Sequence, residues 1–200
     1  MSRCKIHVSP SAICLLALFV LLSSSALLAA LLLAVICHEF AHYAVLRLTK
    51  RSVRELNLTA FGVEMKVAGY TGYLGEFLTT LAGPGINLLL ACCLGLMGRR
   101  WEIFYLFSGA QAVLGLFNLL PVCPLDGGTL LWTAAACAAD PYIADRVASR
   151  VGVAAALCLT AFAVILLLRF GGTPFFLFAA LALLWGNVRE MGLVKRVRKR

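Results

Sequence analysis

Charge is scarce in these 200 residues: Asp, Glu, Lys and Arg together make up 14%, with 9 acidic side chains and 3 histidines. A soluble domain carries about 25% charged residues, so the shortage excludes an ordinary solvated globule. CxxC pairs are missing too, although there are 8 cysteines. Cys14, Cys37, Cys92, Cys93, Cys137 and Cys158 fall within or beside apolar runs. That placement argues against a disulfide framework and for small reduced thiols filling helix packing.

What is abundant is apolar chain, 62% of all residues with a mean hydropathy of +0.94, which marks an integral membrane protein. A span needs about 20 apolar residues. The apolar tracts run from about Ser11 to Arg47, Glu76 to Met97, Ile103 to Leu120, Val151 to Leu168 and Pro174 to Val188. The first is long enough for two helices, and Ser23, Ser24 and Ser25 are the natural break. The expected fold is all-α and polytopic, with six transmembrane helices and Leu130 to Ala139 as an apolar extension of the fourth. A signal peptide is the competing reading of the start, since Arg3 and Lys5 precede an apolar run leading to Ala26, Ala29 and Ala30. The apolar tract continues past that would-be cleavage site, which favours a span.

Short cytoplasmic loops collect Lys and Arg. Six spans put Arg3, Lys5, Arg47, Lys50, Arg51, Arg54, Lys66, Arg146, Arg150, Arg189 and the tail Lys195, Arg196, Arg198, Lys199 and Arg200 on one side. Arg99, Arg100 and Arg169 fall on the other. Both termini are therefore expected in the cytoplasm. The net charge of +9 then reflects topology and attraction to anionic headgroups of the lipid bilayer, and no nucleic-acid partner is expected.

Within the second expected span stands "ICHEFAHYAVLRL", Ile36 to Leu48. His38 and His42 are four apart, so a helix stacks them on one face. Glu39 is rotated out of the pair but near enough to reach a water beside an ion held there. The HExxH pattern carries two zinc ligands and a general base. Ionisable groups at membrane depth cost several kcal/mol and ordinarily mark function. Counting inward from Arg47, His42 and His38 lie about 8 and 13 Å deep at about 1.5 Å per residue.

A catalytic zinc usually has three protein ligands. Glu55, Glu64, Asp140, Asp145 and Glu190 fall in charged or interfacial segments, Glu76 begins a span, and Glu102 lies at the far surface. Asp126 alone sits between apolar stretches, in "FNLLPVCPLDGG", Phe117 to Gly128. Pro121 and Pro124 cannot continue a helix, and Gly127 and Gly128 permit unusual dihedrals. Irregular backbone at membrane depth is tolerated only against protein or a watery cavity. The fourth span breaks there, with Asp126 at roughly the depth of His38.

With HExxH in one span, a later NxxPxxPLDGG, and "LAGPGIN", Leu81 to Asn87, between them, the chain resembles the site-2 protease family of intramembrane zinc metalloproteases. The likeness covers about Leu28 to Ala139, the expected catalytic core of a single domain spanning 1–200. It implies one zinc ion held by His38, His42 and Asp126, and Glu39 as catalytic base. It also implies a groove role for Asn118 and Asn87 in contact with substrate. The substrate would be a membrane-tethered protein cut near the cytoplasmic face, and a regulatory membrane protein is an expected partner. Residues 48–75 are too few for a PDZ domain, and only a short basic tail follows Leu193, so no CBS domain is expected either. The layout is similar to the stage IV sporulation protein FB group, which implies a bacterial cytoplasmic membrane.

Between the second and third spans, "LNLTAFGVEMKV" alternates apolar residues at Leu56, Leu58 and Ala60, then at Val63, Met65 and Val67 across Phe61-Gly62. A small membrane-associated β hairpin over about residues 55–68 is expected. Its edge could pair with an extended substrate. The Ala82-Gly83-Pro84-Gly85 cluster allows either close helix approach or a kink that opens access, and Gly171-Gly172-Thr173-Pro174 reads as a turn. The alternative function is a non-catalytic metal-binding or transport protein. A transporter should carry polar groups across the whole membrane, whereas here they gather at one depth. A proteolytically dead scaffold would most simply lack Glu39.

Overall fold

The computed structural model describes residues 5–59, 62–69, 72–170 and 174–197. Arg3, Ala60, Phe61, Gly171 to Thr173 and Arg198 to Arg200, to which the sequence assigns charge, bend or turn roles, lie outside the described residues. The chain divides into two compact units, Met1–Asn118 and Leu119–Arg200.

The first unit holds a strand β1 (Lys5–Val8), helices α1 (Pro10–Leu22) and α2 (Ser25–Leu48), strands β2 (Ser52–Thr59) and β3 (Gly62–Ala68), and helices α3 (Gly72–Met97) and α4 (Ile103–Asn118). The serine break is where the sequence puts it. Ser23 ends α1 with its N–H on the Phe19 carbonyl, and Ser24 caps α2 by accepting from the Leu27 N–H at 3.3 Å. Strands β2 and β3 pair antiparallel, with Leu58 opposite Val63 and Leu56 opposite Met65. Directly opposed residues of antiparallel strands share a face, so the alternation read from the sequence is the pairing register. A third strand was not legible: β1 runs parallel to β2, with Lys5 opposite Glu55 and Val8 opposite Leu58. β2 is thus central, and β3 has one paired edge among the described residues.

Helix α2 stops through Lys50, whose φ of 57° turns the chain so that the Arg51 N–H reaches the Leu46 carbonyl at 2.9 Å. Arg51 is thereby carried inward. It is buried and donates from Nη1 to Glu76 Oε2 at 3.2 Å, so it ties the end of α2 to α3 rather than standing free as a loop charge. Between α2 and α4 the core is built from small residues, Ala30, Ala34 and Ala110, flanked by Leu31, Leu106, Phe107 and Leu114. Small side chains let membrane helices approach closely.

In the second unit, α5 (Asp126–Ala138) is followed by α6 (Pro141–Phe170) and α7 (Pro174–Val197). The irregular segment before α5 packs Val122 and Leu125 against Ala156 and Leu183. The break after Asn118 is present, but the glycines of LDGG act differently from the sequence expectation. Both are helical and neither has a positive φ. A Cβ on Gly127 would stand 2.3 Å from the carbonyl oxygens of Leu119 and Leu120, and one on Gly128 would stand 3.0 Å from Val122 backbone. They serve close approach of backbone to backbone.

Among the described residues three helices are long and apolar enough to cross a membrane, Ser25–Leu48, Gly72–Met97 and Pro141–Arg169. Ala12–Leu21, Ile103–Asn118 and Phe176–Arg189 are apolar but shorter. At about 1.5 Å per residue a helix the length of α4 reaches about 24 Å against a hydrocarbon core of about 30 Å. Leu33, Ile36 and Phe40 on α2, and Val113 and Leu116 on α4, expose their side chains, as lipid-facing surfaces do. The chain is an integral membrane protein.

Candidate metal centre

Helix α2 places His38, Glu39 and His42 on consecutive turns, with His38 buried and the other two half-buried. The two imidazoles meet edge to face, ring centroids 4.7 Å apart, and their Nε2 atoms are separated by 3.1 Å. His42 Nδ1 lies 2.8 Å from the Thr79 carbonyl of α3. A carbonyl only accepts, so Nδ1 carries the proton and Nε2 presents its lone pair. Nitrogens bound to a tetrahedral ion at about 2.0–2.1 Å stand about 3.3 Å apart. The pair therefore fits a single zinc-like ion, held through Nε2 of each ring.

Helix α3 makes the arrangement sterically permissible. A Cβ on Gly83 would fall 2.3 Å from His42 Nε2 and 2.8 Å from His38 Cε1. Gly83 faces both imidazoles at a place where any side chain would collide with them, which favours the close-approach reading of the Ala82 to Gly85 cluster. Pro84 lies inside α3 and has no N–H for the Thr80 carbonyl. The hairpin reaches the same neighbourhood: Gly62, with φ 129°, lies where an added Cβ would be 4.0 Å from Glu39 Oε1.

Asp126 is the first residue of α5 in the second unit, half-buried, with no side-chain cap on that helix. Asn118 ends α4 and donates from Nδ2 to the Leu114 carbonyl of its own helix at 3.2 Å. Asn87 is fully buried in the α3–α4 seam, its Cβ 3.1 Å from where a Cβ on Gly115 would stand. The structure thus brings His38, Glu39 and His42 together in the first unit and leaves Asn87 away from any surface. Sequence reasoning missed Thr79, which contributes only a backbone atom, and Gln111, buried in α4 with a side-chain amide that has no partner among the described residues. No disulfide joins the described cysteines.

No family model matches the chain. The chain is 32% identical over 134 residues to stage IV sporulation protein FB of Bacillus subtilis, covering 64% of this chain and 46% of that protein. Rip3 of Mycobacterium tuberculosis, named as a zinc metalloprotease, is 35% identical over 118 residues, or 50% of this chain and 28% of Rip3. The chain thus spans less than half the length of these curated relatives. Its fold matches the site-2 protease from Methanocaldococcus jannaschii with a TM-score of 0.67 at 21% identity, over 92% of this chain and 89% of that one. The chain thus has the fold of a site-2 protease and is similar in sequence to stage IV sporulation protein FB and to Rip3.

Proposed function

We propose that the chain is an intramembrane zinc metalloprotease that hydrolyses peptide bonds of transmembrane or membrane-associated proteins near the cytoplasmic face. The observation that carries this reading is the imidazole pair in a helix of spanning length, with Nε2 atoms 3.1 Å apart and one tautomer set by the Thr79 carbonyl. His38, His42 and Asp126 are the residues assigned to hold the ion. A bound zinc ion supplies Lewis acidity, which brings the pKa of water toward neutrality and polarises a peptide carbonyl.

The chain's own groups do the rest. Glu39, one residue from the first ligand, accepts the proton of the water that adds to the scissile carbonyl carbon. As the C–N bond breaks, the hydroxyl stays on the new carboxyl group and Glu39 returns the proton to the leaving amine. Asn118 is assigned a substrate contact. Asn87, enclosed between α3 and α4, contacts substrate only where that seam opens. The outer edge of β3 is assigned to substrate pairing, because peptide-bond hydrolysis needs an extended chain and Gly62 lies beside Glu39.

In this reading the 200 residues form one membrane domain of six spans with both termini in the cytoplasm of a bacterial cell, and control comes from a regulatory membrane partner or from substrate supply. The excess of Lys and Arg on one set of loops supports that orientation. The deciding experiment is co-expression with candidate membrane-tethered precursors. Glu39→Gln keeps zinc and loses cleavage by at least the factor of about 10²–10⁴ that general acid–base catalysis contributes. Retained cleavage in that variant defeats the scheme.

A further inference from the structure

We infer that Asn187 of α7 is a positioning residue for Asp126: it fixes the irregular segment that delivers the carboxylate to the ion. The inference rests on the reading of Asp126 as a zinc ligand.

Residues 119–125 lie outside any helix, and backbone groups at membrane depth need partners supplied from elsewhere. Local turns provide some. The Val122 N–H reaches the Leu120 carbonyl at 2.7 Å, and the Leu125 N–H reaches the Val122 carbonyl at 2.8 Å. Cys123 is served from 64 residues away. Asn187 Oδ1 accepts from the Cys123 N–H at 3.1 Å, and Asn187 Nδ2 donates to the Cys123 carbonyl at 2.8 Å. A third bond, from Nδ2 to the Leu183 carbonyl at 2.7 Å, orients the amide from its own helix. One side chain therefore grips both peptide groups of a residue three positions before Asp126, much as a neighbouring strand would.

The surroundings are shaped to this amide. Asn187 is 4% exposed, and a primary amide in an apolar helix is costly unless it is fully bonded. A Cβ on Gly152 of α6 would stand 2.5 Å from Asn187 Oδ1 and 3.4 Å from the Pro121 carbonyl, so Gly152 provides the room in which the amide sits. A cavity of about 320 Å³ is lined by Cys123, Gly128, Trp132, Asp145 and Asn187 among others. Water in that cavity can take over the Cys123 groups when the amide is removed, leaving a folded chain with a loosened segment.

The test measures zinc affinity of the full chain in nanodiscs by competition with a chelator of known affinity, beside the rise in unfolding temperature that zinc confers. Asn187→Ala removes the amide, and Gly152→Ala displaces it. Each is expected to weaken zinc by 10–100-fold, the range for groups that orient a ligand, and to shrink the zinc-dependent rise in unfolding temperature. The double variant is expected to be no weaker than Asn187→Ala, because Gly152 acts through that amide. Wild-type affinity in both single variants overturns the inference, as does an additive loss in the double. Where Asn187→Ala does not fold, Gly152→Ala decides alone. Equal zinc affinity in the wild type and Asp126→Ala removes the ligand reading and this inference with it, a pattern distinct from an Asn187 variant that simply binds as well as the wild type.

Discussion

The two histidines and the aspartate reach their places by opposite means. His38 and His42 stand on a regular helix whose own geometry stacks them, and α3 adds a carbonyl behind one ring and a glycine beside both. Asp126 follows seven residues of irregular chain whose shape depends on backbone contacts with Gly127 and on an amide from α7. A helix positions a ligand pair with few external restraints, since its hydrogen bonds are internal. A loop at membrane depth positions a ligand only as well as its borrowed partners allow. The first unit should therefore respond to substitution chiefly at the metal, whereas in the second the metal and the unit's own stability should both depend on the contacts that hold the irregular segment.

The sharpest way to break that contrast is a pair of glycine substitutions. Gly83→Ala drives a methyl group into both imidazoles, and without an ion the rings can turn aside at the cost of the His42 bond to the Thr79 carbonyl, a rotation that takes the Nε2 atoms out of position to share an ion. Zinc uptake is expected to fall below detection by metal analysis, with the unfolding temperature of the chelated protein close to that of the wild type. Gly127→Ala instead presses on the Leu119 and Leu120 carbonyls, backbone that cannot rotate away. Its larger effect is expected on the unfolding temperature of the chelated protein. Were Gly127→Ala to spare stability and Gly83→Ala to reduce it, the contrast would be inverted.

A smaller effect follows from Asp126→Asn, which keeps shape and removes charge. Zinc affinity is expected to fall by more than about 100-fold, beyond the range typical of an outer-shell partner, with helix content unchanged by circular dichroism. Affinity within a few-fold of the wild type would mean that the carboxylate is not a ligand.

This asymmetry also explains what the sequence discloses. HExxH is readable because its spacing is local and the helix is regular. The serine break and the Leu56 to Met65 register are readable for the same reason. Strand β1 was not, since Lys5–Val8 is short and its partner lies some fifty residues on. Asn187 was not, because an isolated Asn in an apolar run does not announce which distant backbone it serves. Arg51 looked like one more loop cation until the turn at Lys50 carried it to Glu76. The glycines of LDGG suggested unusual dihedrals, whereas the requirement is space, which depends on what packs against them.

The smallest expected effect tests whether the sheet belongs with the catalytic half. In a strand, successive N–H groups point to opposite edges, so the donors of Met65 and Lys66 divide between β2 and the outer edge of β3. Met65→Pro and Lys66→Pro each remove one donor. The variant that loses the outer donor forfeits one hydrogen bond to an extended substrate, net about 0.5–1.5 kcal/mol, or roughly fivefold in cleavage at limiting substrate. Zinc affinity should stay at the wild-type value, because the sheet supplies no ligand. If neither proline alters cleavage of a membrane-tethered precursor, β3 does not pair with substrate, and its closeness to Glu39 at Gly62 is packing alone.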